Sequence, residues 1–218
     1  FKKLDKLSVV RKGHHKAVKA ANLQIHRLAD SIKTRLLTAP ILPEIAAEII
    51  ERYELLQEHL YELDIPVAVR SSGTAEDTKA LSCAGQHDSF LNQVGREQVL
   101  DAVKRVWASF FNDRAIEYRN ANKIRHSDQS LAVVIQRMID GHSSGVGYNR
   151  EPASGIKGAF FEAIYGLGEP LVHGDVKPDR WFFDPLTEKV NYQDTSTKKT
   201  KLVSLLGGDV KYIGVPSA

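Results

Sequence analysis

Apolar residues recur with helical spacing in the first part of the chain. Between residues 15 and 38 they return every three or four positions, and Ala39-Pro40 ends the pattern. A second helix is predicted to begin near Pro43, because proline suits the first helical turn. The two apolar stripes are Val18, Leu23, Ile25, Leu28, Ile32, Leu36 and Leu37, and then Ile45, Ile49, Tyr53, Leu56 and Leu60. We predict a helical lead-in segment over residues 1–65.

The pattern changes at Pro66. The run Pro66–Val69 is short and rich in β-branched residues, and Arg70 closes it, so it predicts a buried strand. A third helix is predicted from Gly95, and a fourth from Asn112-Asp113 to Tyr118. The buried stripe of the third helix is predicted to be Val99, Val103, Val106 and Phe110, and Trp107 suits either stacking on a base or, as we expect, core packing.

Beyond residue 130 the chain is dominated by strand patterns. Residues 131–138 predict a second buried strand, and Ser196–Lys201 predicts a polar surface loop. Val190–Tyr192 is expected to form a hairpin with Trp181–Phe183. Further strands are predicted at Ser144–Asn149, Ala159–Ile164 and Arg180–Asp184. Helices followed by dense strands favour an α+β fold with a largely antiparallel sheet, and a core over residues 66–218.

Candidate chemistry follows the first strand. Ser71-Ser72-Gly73-Thr74 predicts a turn, and small residues in such a turn can direct N–H groups and hydroxyls toward an anion. Arg70 could add a planar, permanently charged fork to the same anion. Ala84-Gly85-Gln86 predicts a second flexible turn. The residues alone leave open an ordinary strand-to-loop transition.

Composition narrows the class of protein. The formal net charge is +3, and there is one cysteine, Cys83, so the chain can form no internal disulfide. No apolar run reaches the length of a membrane span, and no signal segment follows the first lysines. These features predict a cytoplasmic protein without a membrane partner. The basic residues before position 20 suit either a nucleic-acid arm or a solvated helix face. We expect the helix face, since only Phe1 could stack on a base.

The motif RSSGTAED, followed by AGQHDSFLN, resembles the RSSATAED and AGQQETFLN signature of the ATP-binding domain of phosphoenolpyruvate synthases. That domain is similar to those of pyruvate phosphate dikinases and rifampicin phosphotransferases. The stretches SFFNDRAIEYR, LAVVIQRM and IYGLGEPLVHGDVKPDR also resemble this family. The loop SCAGQ lacks a Met-rich sequence, which argues against a pyruvate phosphate dikinase proper.

The resemblance implies an ATP-grasp fold, in which two lobes clamp ATP, with a lobe boundary near residues 136–140. It implies that Arg70 reaches the phosphates, that Gly85 and Ser89 close over them, that Gln136 ends the adenine-side strand and that Met138 lies at the hinge. ATP and Mg²⁺ are the expected cofactors. Carboxylates suit Mg²⁺, so Glu162 and Glu169 are metal candidates, although the ligands cannot be assigned. Arg114 and Arg119 suit either phosphate contacts or ion pairs.

The family transfers the β-phosphoryl group of ATP to a histidine on a swivelling domain and then to pyruvate on an acceptor domain. We find no counterpart of the family's lysine-bearing glycine-rich segment before residue 66, nor of its acidic segment after residue 184. No histidine has the phospho-acceptor setting. We therefore expect a core that is incomplete at both ends, with no catalytic residue of its own and no turnover in isolation. A rifampicin phosphotransferase-like enzyme, another small-molecule dikinase and a non-catalytic nucleotide-binding module remain alternatives.

Overall fold

A computed structural model describes residues 1–8, 15–74, 86–184 and 186–215. The chain divides into two compact units, Phe1–Met138 and Ile139–Ala218. The first unit contains helices and one sheet, and the second contains most of the strands. The sequence-based division into residues 1–65 and 66–218 stays a prediction.

Five α-helices are described in the first unit. They are α1 (Lys2–Ser8), α2 (His15–Thr38), α3 (Pro43–Leu60), α4 (Gly95–Ser109) and α5 (Asp113–Ala121), followed by a 3₁₀ helix (His126–Asp128). Helix α2 has the predicted bounds, and Pro43 lies in the first turn of α3 as expected. The sequence analysis missed α1 and ended α5 three residues early.

The predicted apolar stripe of α2 was partly wrong. Ile25 and Ala29 are buried, whereas Leu23 and Leu37 are about half exposed. Leu23 lies two residues before Ile25, which places it on roughly the opposite side of a helix with 3.6 residues per turn. The buried stripe therefore follows the spacing from Ile25, and the two exposed leucines lie outside it.

The sheet of the first unit has three strands, β1 (Val67–Gly73), β2 (Ser89–Gln93) and β3 (Leu131–Arg137). Their order is β2-β1-β3, and both pairs are antiparallel. Ser71, Ser72 and Gly73 were predicted to form a turn, but they belong to β1, because they pair with Val133, Ala132 and Leu131 of β3. This long-range pairing overrides the local preference of Ser and Gly for a turn. Of the four residues predicted to form the turn, only Thr74 lies in one.

One face of this sheet packs on the helices. Val67 and Val69 of β1 are fully buried. Strand β3 was predicted to be buried, but only its alternate residues pack on the helices. The core on this side also contains Tyr53, Ile65, Val99, Ala102, Val103 and Val106, with Phe90, Val133 and Ile135 packed against it. The predicted burial of Val103 and Phe110 is confirmed, and Trp107 contacts the core from a partly buried position.

The second unit contains a four-stranded antiparallel sheet of order β4-β5-β6-β7. The strands are β4 (Ser143–Arg150), β5 (Lys157–Tyr165), β6 (Asp179–Asp184) and β7 (Lys189–Asp194), and helix α6 (Glu169–His173) lies between β5 and β6. Phe182 pairs with Tyr192 and Phe183 with Val190, which confirms the predicted hairpin. A further hairpin joins β8 (Thr200–Ser204) and β9 (Val210–Gly214). An α+β fold with antiparallel sheets is therefore confirmed.

The segment Ser196–Lys201 was predicted to be a polar surface loop, and this prediction is confirmed only in part: residues 196–199 form no helix or strand, and Thr197 and Lys199 are exposed. Thr200 and Lys201 begin β8. The Lys198 side chain is only 5% exposed and ion-pairs with Asp179, which also accepts a hydrogen bond from the Ser196 N–H at 2.8 Å. A lysine follows its partner into a partly buried position when the pair can neutralise its charge.

Candidate functional site

Arg70 lies on the central strand of the three-stranded sheet, at the point where the buried run of β1 ends. Its side chain is exposed, whereas Val69 before it is fully buried. Across the sheet, Arg70 pairs with Ser89 of β2 and with Val134 of β3. Directly paired residues on antiparallel strands point to the same side, so Ser89, Arg70 and Val134 form one row on the solvent-facing side. We call this side the exposed face.

Gln136 lies on the exposed face two residues beyond Val134. The Arg70 Nη1 donates a hydrogen bond to Gln136 Oε1 at 3.4 Å. Within the parts of the chain that the structure describes, no carboxylate pairs with Arg70. Glu76 and Asp77, which are close to Arg70 in sequence, lie outside the described residues. The guanidinium thus offers donors on a face that also carries a hydroxyl and an amide.

Met138, another predicted site residue, is not in this row. Met138 follows β3 directly, and its backbone N–H donates to the Pro66 carbonyl at 2.9 Å. It is the last residue of the first unit. Gly85 lies outside the described residues. The structure therefore brings together Arg70, Ser89 and Gln136, three residues that are distant in sequence.

Sequence reasoning missed three further residues of the exposed face. Ser72 pairs with Ala132, and Val134 is 44% exposed. The signal was present, because strand residues alternate between two faces and Ala132, Val134 and Gln136 have the same parity. It was overlooked because SSG had been interpreted as a turn and LAVVIQRM as a strand buried on both sides.

Arg114 and Arg119 do not lie on the exposed face. Arg114 ion-pairs with Asp88 and donates from Nε to the Gln86 carbonyl at 3.1 Å. Arg119 is buried, and its Nε donates to His126 Nδ1 at 2.9 Å. Arg114 thus makes the ion pair that was one of the two alternatives, whereas Arg119 makes hydrogen bonds to His126 and to the Phe110 carbonyl, which neither alternative described.

His126 is a buried histidine beside a buried cation. Its side chain has no exposed surface. Burial and then the positive charge of Arg119 lower the pKa of His126 to about 4. The imidazole is therefore neutral near pH 7, which agrees with Nδ1 acting as an acceptor for Arg119.

The two metal candidates lie in the second unit. Glu162 pairs across the sheet with Arg180, and its Oε1 lies 2.7 Å from the Arg180 Nε. Glu169 is the first residue of α6. Among the described residues, no group of three or more His, Cys, Asp and Glu side chains is placed to hold a metal ion.

A helix that crosses a membrane must be both long and apolar. Over residues 1–8, 15–74, 86–184 and 186–215, no helix combines the length and the apolar character needed to cross one.

Comparison with known proteins gives the class of this chain. The family model described as pyruvate phosphate dikinase, AMP/ATP-binding domain, matches residues 7–218. Because this match covers nearly the whole chain, the chain belongs to that family of nucleotide-binding domains. The resemblance inferred from RSSGTAED and AGQHDSFLN is thereby confirmed.

The more particular similarity is to phosphoenolpyruvate synthases. The chain is 41% identical over 167 residues to a probable phosphoenolpyruvate synthase of Methanothermobacter thermautotrophicus, which covers 77% of this chain and 24% of that protein. It is 43% identical over 148 residues to a probable phosphoenolpyruvate synthase of Archaeoglobus fulgidus, covering 68% and 20%. For the phosphoenolpyruvate synthase of Deinococcus radiodurans the identity is 42% over 163 residues, covering 71% and 21%. The chain thus spans about a fifth to a quarter of the length of these relatives.

Proposed function

We propose that this chain is the ATP-binding part of a phosphoenolpyruvate synthase-like dikinase and that Arg70 binds the phosphates of ATP. The observation that carries the proposal is the convergence of Arg70, Ser89 and Gln136 on one exposed sheet face. The family match supports ATP as the ligand. The names of the relatives support the dikinase reaction and the acceptor pyruvate.

The physical argument begins with Arg70. A guanidinium can donate two parallel hydrogen bonds to two phosphate oxygens, which adds direction as well as charge. Gln136 accepts one Nη1 hydrogen bond and so holds the fork on the exposed face. Ser89, directly opposite Arg70, adds a hydroxyl donor at the neighbouring strand. These residues would orient the phosphate chain, and orientation with charge neutralisation supplies most of the protein's contribution to phosphoryl transfer.

The finer assignments are also part of the proposal. Gly85 approaches the phosphates without a side chain in the way. Gln136 and Met138 contact the adenine side of ATP, and the fold is of the ATP-grasp type. Mg²⁺ is part of the substrate complex in this proposal, because Mg²⁺ in nucleotide sites is held largely by the phosphates of the substrate.

In the proposed reaction ATP and water give AMP and inorganic phosphate, and the β-phosphoryl group passes through a histidine on a swivelling domain to pyruvate. This chain would bind and orient ATP, while the histidine and the pyruvate site belong to other domains. The share of each relative that the chain covers is consistent with this division of labour.

The test uses the complete natural protein that contains this chain. Arg70→Lys keeps the charge but removes the fork, so ATP affinity measured by calorimetry is expected to fall by one to two orders of magnitude, about 1.4–2.8 kcal/mol. The melting temperature should stay nearly constant, because Arg70 is exposed. The control is Arg125→Lys, which alters an exposed arginine paired with Asp128 at 2.8 Å.

Two results would contradict the proposal. Equal ATP affinity in Arg70→Lys and wild type would remove Arg70 from the ATP site. Absence of pyruvate-dependent AMP formation in the wild-type protein would remove the dikinase assignment and favour an acceptor other than pyruvate or a non-catalytic nucleotide-binding module.

A further inference from the structure

The three residues that lead into β2 are each held by the junction between α4 and α5. The Gln86 carbonyl accepts a hydrogen bond from Arg114 Nε at 3.1 Å. The His87 ring stacks on Phe110, with ring centroids 5.9 Å apart and an interplanar angle of 4°. Asp88 is held by Arg114 as well. The entry of β2 is therefore anchored residue by residue to a helical junction.

Both carboxylate oxygens of Asp88 are used at this junction. Oδ1 ion-pairs with Arg114, and Oδ2 accepts a hydrogen bond from Asn112 Nδ2 at 2.9 Å. Asn112 is the N-cap residue of α5, but its side chain makes no cap hydrogen bond and contacts Asp88 instead. The Arg114 guanidinium and the Asn112 amide thus fix the position of residues 86–88 through the Asp88 carboxylate and the Gln86 carbonyl.

The residue after this segment is Ser89, which pairs with Arg70 on the exposed face. Since side chains alternate along a strand, a slip of one residue would turn Ser89 toward the opposite face. Strand β2 has only five residues, Ser89–Gln93, and its pairing with β1 is already irregular between Val67 and Val69. Phe90 packs its inner face on the core, and the contacts at the entry of the strand add a second constraint that fixes where Ser89 lies.

We propose that Arg114 is a positioning residue for the ATP site: through Gln86 and Asp88 it keeps Ser89 on the exposed face beside Arg70. Arg114 itself does not touch ATP, and the inference rests on the proposed function of that face. The geometry requires arginine, because Nε serves a backbone carbonyl while the terminal nitrogen serves a carboxylate. The single ammonium group of lysine does not reproduce this fork.

The position of the pair argues against a role in stability alone. The side chains of Arg114 and Asp88 are 49% and 36% exposed. Ion pairs with this exposure contribute little to the free energy of unfolding, because water and salt screen them. Their effect should therefore appear in the geometry of β2 and in ligand binding before it appears in the melting temperature.

The experiment compares Arg114→Ala, Asp88→Asn and the double variant in the complete natural protein, with Arg125→Ala as the matched loss of an exposed Arg–Asp pair. Calorimetry gives the affinity for Mg²⁺-ATP and for AMP, and hydrogen–deuterium exchange follows the peptide that contains residues 89–93. We expect Arg114→Ala to weaken ATP binding about tenfold, because small misplacements at such sites are costly. AMP, which lacks the β- and γ-phosphates, should bind within about twofold of wild type by the same argument.

Three further readouts separate positioning from structure. Hydrogen–deuterium exchange at residues 89–93 should rise in Arg114→Ala but not in Arg125→Ala. Arg114→Lys should restore ATP affinity only in part. The double variant should bind ATP no more weakly than Arg114→Ala, since both single changes remove the same contact network.

The opposite results have distinct meanings. If Arg70→Lys weakens ATP binding and Arg114→Ala does not, the positioning role of Arg114 is overturned and the proposed function stands. If ATP and AMP affinity fall together with the melting temperature, Arg114 is merely structural and the inference is also overturned. If neither Arg70→Lys nor Arg114→Ala changes ATP affinity, the proposed function itself fails.

Discussion

The sheet of the first unit has one buried and one exposed face, whereas the sheet of the second unit exposes aromatic side chains on both faces. In the first sheet, Val67 and Val69 pack on α3 and α4, and Arg70 faces solvent. In the second sheet, Tyr192 on one face is 50% exposed and Phe161 on the other is 46% exposed. A sheet with one helix-covered face can carry ligand-binding residues on its free face at little cost in stability.

The two units therefore gain stability in different ways. The hydrophobic clusters defined by the described residues both lie in the first unit. The second unit relies more on cross-strand pairs and on polar contacts such as Lys198–Asp179 and Glu162–Arg180. The chain has two tryptophans, Trp107 in the first unit and Trp181 in the second, so the fluorescence of each can report on its own unit when the other is replaced by phenylalanine.

The largest expected effect is on the core of the first unit. Ile65→Ala removes a side chain with no exposed surface and should cost about 2–5 kcal/mol of unfolding free energy, through lost burial and a residual cavity. Urea denaturation measures the loss, followed by Trp107 for this variant and by Trp181 for a control in the second unit. Ile156→Ala in the second unit, where Ile156 is 59% exposed, is the matched control. Equal losses in the two variants would contradict the contrast between the units.

In the second unit, loss of the Lys198–Asp179 ion pair should lower the free energy of unfolding nearly as much. Lys198→Met keeps the length of the side chain but leaves the Asp179 carboxylate without its charged partner. The expected cost is about 2–3 kcal/mol, less than for a fully buried pair, because Asp179 is 23% exposed. The control is Lys199→Met, whose side chain is exposed. Denaturation of both variants is followed by Trp181 fluorescence. An equal loss of unfolding free energy in the two variants would show that the Lys198–Asp179 pair contributes nothing specific.

Acid should destabilise the first unit before carboxylates titrate. The pKa of His126 is lowered from its ordinary 6.5 to about 4, by burial first and by Arg119 second. Because the folded state disfavours protonation of His126, the neutral imidazole contributes fully to the free energy of unfolding above pH 6.5, and this contribution declines as the pH falls toward 4. About 2 kcal/mol should be lost by pH 5, at 1.36 kcal/mol per pH unit.

The contribution of His126 can be isolated with His126→Asn, whose amide oxygen can accept from Arg119. The stability difference between pH 7 and pH 5, read from Trp107, should shrink in this variant. An unchanged difference would assign the acid sensitivity to another group, such as His87, whose pKa burial also lowers.

The smallest expected effect lies on the exposed side of β5. Phe161→Ala should cost about 1 kcal/mol or less, since the ring is half exposed and loses mainly its cross-strand contact with Trp181. Its neighbour Phe160 is 5% exposed, and Phe160→Ala should cost about 3 kcal/mol. Denaturation followed by Trp181 tests the pair, and similar costs would mean that both faces of this sheet are covered to the same degree.

Local patterns in the chain were sufficient for helices α2 to α5 and for one hairpin. Periodic apolar residues and Pro43 placed α2 and α3, and the apolar pattern near Trp181 placed the β6–β7 hairpin. These features depend on residues close in sequence. The strands β2, β8 and β9 were missed, because each is only five residues long and acquires its identity from its partner.

The sequence by itself determined the family, through motifs such as RSSGTAED, and pointed to Arg70 as a residue that binds anions. Only the tertiary structure decided that Ser89 and Gln136 lie beside Arg70 and that Arg114 is occupied elsewhere. The reason is physical. Arg70 and Gln136 are 66 positions apart, and the register of their strands is set by the inner face packing on α4, since a one-residue slip would expose that apolar face.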